Sequence, residues 1–264
     1  MFNINKIEYF KILRNNNCMQ LILKSSILII FFLLSLNSLS NNLPQPVETK
    51  LIIDTKDIRS KNSFKLGVLF KINPKWHIYW KNPGDSGLST NIIIKVPEEF
   101  QMSEQLWPYP KSFKGTSGID YGYENEVLIW TEIKTPKNIN LNIPIYIEAN
   151  WLSCKEICIP GKIIYEQELA YNKNYNNEKM FRKWGEFIPK NKINGINYKI
   201  STKHTKDNTS TVFEININSK KNIMNIELFP LPSNEIKIEN IEYKKINDTS
   251  YLTSIYASLY KGQK

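Results

Sequence analysis

The chain has 264 residues, 41% of them apolar and 12% aromatic, which is enough to build a packed core and excludes a disordered chain. Its formal charge is +10, from 35 basic and 25 acidic residues, but the lysines are scattered among Asn and Ile. A nucleic-acid binder carries a clustered basic stripe, so no nucleic-acid partner is expected. The excess reads as compositional drift, with at most a mild attraction to anionic membrane surfaces.

Residues 27–36 read ILIIFFLLSL, preceded by Lys24 and followed by the polar run 37–42. A spanning helix needs about twenty apolar residues, so this shorter run fits the apolar centre of a secretory signal. Residues 1–40 are therefore expected to be a signal peptide, with Met19 as a second possible start because 19–40 alone has ordinary signal proportions. Cleavage is expected near Ser40; an uncleaved membrane anchor is the alternative. Either way the remainder lies outside the cytoplasm, in the periplasm. Only three cysteines exist, and Cys18 falls in the signal, leaving Cys154 and Cys158 in an oxidising compartment.

Residues 41–170 read as strands and turns. Segment 64–70 alternates, and so does 76–80, where Trp76, Ile78 and Trp80 share one face and His77 and Tyr79 the other. Asn82, Pro83, Gly84, Asp85, Ser86 and Gly87 supply strong turn chemistry. Segments 91–96, 126–134, 143–151 and 163–169 are further strand candidates. Short strands separated by Gly, Pro and Asn predict an antiparallel sandwich.

Segment 171–190 differs. Met180, Phe181, Trp184, Phe187 and Ile188 fall at helical spacing, with Asn177 at the N-cap position and Pro189 at the end, so a short helical connector is expected over 176–188. Strand patterns resume over 210–217, 223–229 and 251–260, predicting a second small β domain over 191–264. That part has no cysteine and one histidine, His204; a docking surface for a membrane partner is the expectation for it.

The one strong chemical motif is the stretch from Trp151 to Gly161, WLSCKEICIPG, between two strand candidates. Three intervening residues can turn back and bring two Cα atoms within the roughly 4.4–6.8 Å a disulfide spans. So small a loop gains little from closure, which favours reactivity over stapling. Three readings compete: a structural clip, a redox-exchanging dithiol, and a metal site, where two thiolates suit Cu(I) better than zinc. His77 and the methionines are the remaining soft ligands, with no spacing that links them to the pair. No metal site and no cofactor are expected. There is no thioredoxin-type C-x-x-C, no G-x-S-x-G, no H-E-x-x-H and no phosphate loop, so hydrolase, nucleotide and other small-molecule readings have no support. Trp76, Trp80 and Trp151 read as buried sandwich aromatics rather than a groove. Asp85 and Glu124 read as turn and surface residues.

Taken together, the stretches WHIYWKNPGDSGLST (76–90), Trp107-Pro108, Tyr121-Gly122-Tyr123-Glu124 and ANWLSCKEICIPG (149–161) resemble the N-terminal periplasmic domain of the DsbD thiol:disulfide interchange family, and its ScsB-like branch in particular. The resemblance covers about residues 50–170 and is much weaker from 171 onward. It implies an immunoglobulin-like sandwich in which Cys154 and Cys158 are the exchanging pair. It implies electrons received from a membrane or thioredoxin-like partner and passed to envelope proteins such as disulfide isomerases or cytochrome-maturation thioredoxins. A loop over 118–123 matches where the family places a cap above its disulfide. The family's phenylalanine is replaced near Asp120, leaving Tyr121 or Tyr123 to shield the pair. The chain carries neither the polytopic membrane domain nor the thioredoxin domain of DsbD, so a thiol-disulfide oxidoreductase of this kind needs separate partners. A non-enzymatic binding module with a structural disulfide and a copper-handling protein are the alternatives.

Overall fold

The computed structural model describes residues 45–56, 62–115, 118–137, 142–170, 173–190, 193–205, 210–231, 233 and 235–259. The signal segment and Cys18 lie outside the described residues. The described residues, from 45 to 259, belong to one compact unit.

Two antiparallel sheets make an immunoglobulin-like sandwich. The first has the order β1-β2-β8-β5, from β1 (Val47–Asp54), β2 (Ser63–Ile72), β8 (Glu126–Lys134) and the short β5 (Gln101–Met102). The second has the order β10-β9-β3-β7-β6, with β4 (Asn91–Lys95) also pairing β9. Its strands are β3 (His77–Gly84), β6 (Lys111–Gly115), β7 (Gly118–Glu124), β9 (Ile143–Cys154) and β10 (Cys158–Leu169).

The inner faces follow from the period-two alternation of side chains. Leu66, Val68 and Phe70 on β2 meet Ile78 and Trp80 on β3 and Ile147, Ala149 and Trp151 on β9 in one buried core. Phe70 and Trp151 pack edge to face at 5.4 Å, the favoured aromatic geometry. The tryptophans expected to be core residues are so: Trp80 and Trp151 are buried and Trp76 is partly buried against them.

The helix α1 (Glu178–Gly185) covers the outer side of the first sheet, placing Phe181 against Trp130 at 6.0 Å and burying Trp184. It is shorter than the expected 176–188. Asn177 stands at the N-cap position but does not cap with its side chain; its amide instead donates to the Ile53 carbonyl at 2.7 Å. The residue thus ties the connector to β1 rather than closing the helix end.

Residues from 193 onward form a four-stranded antiparallel sheet of order β11-β12-β14-β13. Its strands are β11 (Ile196–His204), β12 (Thr211–Ser219), β13 (Ile236–Asn247) and β14 (Ser250–Leu259). The expected strand at 223–229 is irregular chain instead. Its backbone bonds outward, with Ile223 N–H donating to Asp248 O and Leu228 N–H to the Tyr243 hydroxyl. This segment delivers Phe229 to the sandwich, edge-on to Trp80 at 6.3 Å and to Tyr121 at 5.6 Å.

Candidate functional site

β9 and β10 form one long hairpin, paired in unbroken register from Ile143↔Leu169 to Cys154↔Cys158. The loop is Lys155, Glu156 and Ile157, closed by a 3.0 Å bond from Lys155 N–H to the Ile157 carbonyl. Below it the Ser153 hydroxyl donates to the Ile159 carbonyl at 2.8 Å. Register therefore makes the two cysteines directly opposed neighbours on one face, and they are disulfide-bonded with Cα atoms 4.1 Å apart. That spacing is shorter than the disulfide range expected from sequence and close to the roughly 4.5 Å of the tighter opposed pairs in antiparallel sheets.

The two sulfurs have different surroundings. Cys154 is 3% exposed, whereas Cys158 is exposed, beside Ile157 at 57%. Cys154 lies outside the sandwich core, because it points to the opposite face from Trp151 and Ser153. Its burial comes from a second, smaller layer on the outer face of the sheet.

That layer is built by β3, β6, β7 and the turn after β3. His77 is paired with Cys154 on one side and with Glu124 on the other. Cys158, Cys154, His77 and Glu124 thus form a row across four strands with side chains on the same face. The His77 ring stacks on Phe113 at 4.7 Å and meets Tyr79 edge-on at 5.2 Å. Burial lowers the His77 pKa below its ordinary 6.5, against the opposing pull of Asp120 and Glu124. Tyr79 is buried on this face; burial and then Asp120 raise its pKa, while a hydrogen bond with Ser86 lowers it. Gly87, at φ +79°, lies under the Tyr79 ring where a β carbon would overlap it, so this glycine is required both by backbone and by space.

The WKNPGDSG stretch therefore does more than turn. β3 continues through Pro83 and Gly84, with its pairing to β7 interrupted between Tyr79 and Gly84. Residues 85–87 then fold over the outer face. Ser86 donates from its backbone N–H at 2.8 Å and its hydroxyl at 2.6 Å to the buried Asp120 carboxylate. Asp85 accepts from Ile119 N–H at 2.7 Å, the turn role expected of it. Glu124 forms an ion pair with Lys111 at 3.1 Å.

The segment expected to be a cap loop is the strand β7. Asp120 is on the disulfide's face but is committed to Ser86. Tyr121 and Tyr123 are on the other face: Tyr121 packs with Trp80 and the buried Tyr123 donates to the Pro108 carbonyl at 2.7 Å. Burial pushes the Tyr121 pKa up to about 12 and Tyr123 well above its ordinary value. Neither tyrosine shields the sulfurs; the pleat sends alternate residues to opposite faces. The aromatic that stacks on this row, at His77, is Phe113 on the β6–β7 hairpin. Sequence reading missed it because β6, rich in Lys, Ser and Gly, gives no strand signal. Among the described residues no group of three or more His, Cys, Asp or Glu could hold a metal ion, and no helix is long and apolar enough to cross a membrane.

Comparison with solved structures finds the N-terminal periplasmic domain of ScsB from Proteus mirabilis, at 16% identity and a TM-score of 0.61, covering 85% of this chain and 84% of that one. The shared fold thus extends well beyond the sandwich. A comparison with curated proteins returned no match. The family model described as thiol:disulfide interchange protein DsbD, N-terminal, matches residues 45–169, which span β1 to the end of β10 and contain both cysteines. Residues 45–169 of this chain belong to the DsbD N-terminal domain family.

Proposed function

We propose that this chain is a thiol–disulfide relay of the periplasm, exchanging electrons through Cys154 and Cys158. The observation that carries the reading is the asymmetry of the pair: one sulfur open at a hairpin tip, its partner buried. A staple needs neither sulfur exposed, whereas exchange requires one sulfur that an incoming thiolate can reach in line. Cys158 is that sulfur. A donor thiolate attacks Cys158 Sγ, forms a mixed disulfide, and expels Cys154 as thiolate. The donor's second thiol then resolves the mixed disulfide and leaves this chain reduced. In the forward transfer the Cys158 thiolate attacks an acceptor disulfide, and Cys154 attacks Cys158 Sγ to release the reduced acceptor.

The pair has no helix N-terminus to activate it. The one helix among the described residues, α1, packs on Trp130 in the other sheet. A strand-borne pair lacks the helix dipole that activates the most reactive thiols, so reaction with small oxidants is slow and transfer belongs to docked complexes. The DsbD family implies thioredoxin-like and membrane partners in general; the exposed tip of Lys155, Glu156 and Ile157 is the surface they would meet first. The test is exchange kinetics. Little insulin reduction by the chain alone and fast exchange with a thioredoxin-like envelope protein support the relay. Equal rates with glutathione and with such a protein contradict it.

A further inference from the structure

The outer layer holds one polar atom that the oxidised protein leaves unmet. His77 Nε2 is buried and has no hydrogen-bond partner. A buried donor or acceptor left unsatisfied costs about 1–3 kcal/mol, so a group kept in this state points to a partner that arrives in another state of the protein. The carboxylates on the same face are already committed: Asp120 accepts from Ser86 and Glu124 pairs with Lys111. On its other side His77 stands directly opposite Cys154 across β3 and β9. Opposed residues have β carbons about 4.5–5.5 Å apart on a shared face, which puts the Cys154 sulfur within reach of the imidazole.

We infer that His77 is a positioning residue for the buried sulfur, donating a hydrogen bond from Nε2–H of its neutral ring to the Cys154 thiolate that forms when the disulfide opens. The inference rests on the relay reading above. When a donor thiolate bonds to Cys158 Sγ, the S–S electron pair passes to Cys154 Sγ; no proton moves, and the imidazole keeps its ring hydrogen and stays neutral. The stack on Phe113 and the edge of Tyr79 hold the ring in place, and burial favours its neutral form. A hydrogen bond to the charged form lowers a thiol pKa. His77 therefore assists Cys154 as leaving group in one half-reaction and as resolving thiolate in the other.

The test uses the full chain with Cys18→Ser. Adding Cys158→Ser leaves Cys154 as the one thiol, whose thiolate absorbance is followed against pH. The other titratable groups on the face of His77 are Cys154, Glu124, Asp120 and Tyr79. The apparent Cys154 pKa is expected to rise in His77→Phe and to return toward the parent in His77→Gln, whose amide still donates. With both cysteines present, His77→Phe is expected to lower the equilibrium constant for reduction about tenfold, roughly 30 mV for a two-electron couple, with partial rescue by Gln. His77→Leu is the second non-donating variant should the larger ring not fold. An unchanged thiol titration and an unchanged potential in a folded non-donating variant overturn the role of His77. A parent potential well below about −300 mV instead overturns the relay itself.

Discussion

Cys154 and Cys158 face each other across the end of the β9–β10 hairpin, yet only Cys158 is open to solvent. The difference has a cause in the fold. β9 is interior to its sheet, next to β3, while β10 is its edge. Cys154 is therefore flanked by His77, while Cys158 has no further strand beside it. A partner approaching the edge meets Cys158 first.

On the relay reading, accessibility orders the reaction. In the reduced chain carrying Cys18→Ser, Cys158 in the Cys154→Ser variant should react with a bulky maleimide faster than Cys154 in the Cys158→Ser variant, by on the order of tenfold or more. Only Cys154→Ser should then accumulate mixed disulfides with a thioredoxin-like protein. Equal rates would mean that the outer layer does not seal Cys154.

The half-buried imidazole of His77 gives the fold an acid-sensitive element. The unfolded His77 titrates near its ordinary 6.5, and the folded one lower. Between the two values the unfolded chain binds a proton that the folded chain does not, so stability falls as pH drops through this window and is unaffected above it. Thermal unfolding should show a drop in Tm below about pH 6.5 that is weaker in His77→Phe. Parallel pH profiles for the two proteins would remove His77 as the source.

Asp120 organises the turn over the disulfide's face. It is buried and takes two hydrogen bonds from Ser86. Replacing it with Ala leaves both donors unmet, at an expected cost of about 1–3 kcal/mol in urea unfolding. The loosened turn should also raise the maleimide reactivity of Cys154. A neutral effect on both would contradict a supporting role for the turn.

The alternation of Trp76, His77, Ile78, Tyr79 and Trp80 placed the core and outer faces of β3 correctly from sequence, because period two is a direct signal of a half-buried strand. The cysteine pair was legible for a similar reason: its spacing and flanking strands left little besides a hairpin. What stayed hidden depends on pairing between distant segments. That His77 stands opposite Cys154 is a matter of β3–β9 register, and that Phe113 rather than Tyr121 or Tyr123 packs on this face follows from β6, which has no strand pattern. β11 and β13 were missed likewise, since Lys and Asn dilute their alternation; Tyr198 and Ile200 nonetheless line up with Ile217 and Ile215 once the register is known.

Gly161 lies opposite Trp151, whose indole occupies the space a β carbon would need. Gly161→Ala should therefore destabilise the chain by about 1–3 kcal/mol, the usual cost of overpacking, despite the better strand propensity of alanine. Because this contact is on the core face, the reduction potential should stay unchanged. A stabilising effect would show that the indole can move aside.

The central claim is that the pair exchanges electrons rather than clipping a loop. The most direct measurement is the reduction potential of Cys154–Cys158 in the full chain carrying Cys18→Ser, by equilibration with glutathione or dithiothreitol buffers and thiol counting. A value above about −300 mV, in the range of exchange proteins, is the predicted result. A value well below it would identify a structural disulfide and contradict the relay.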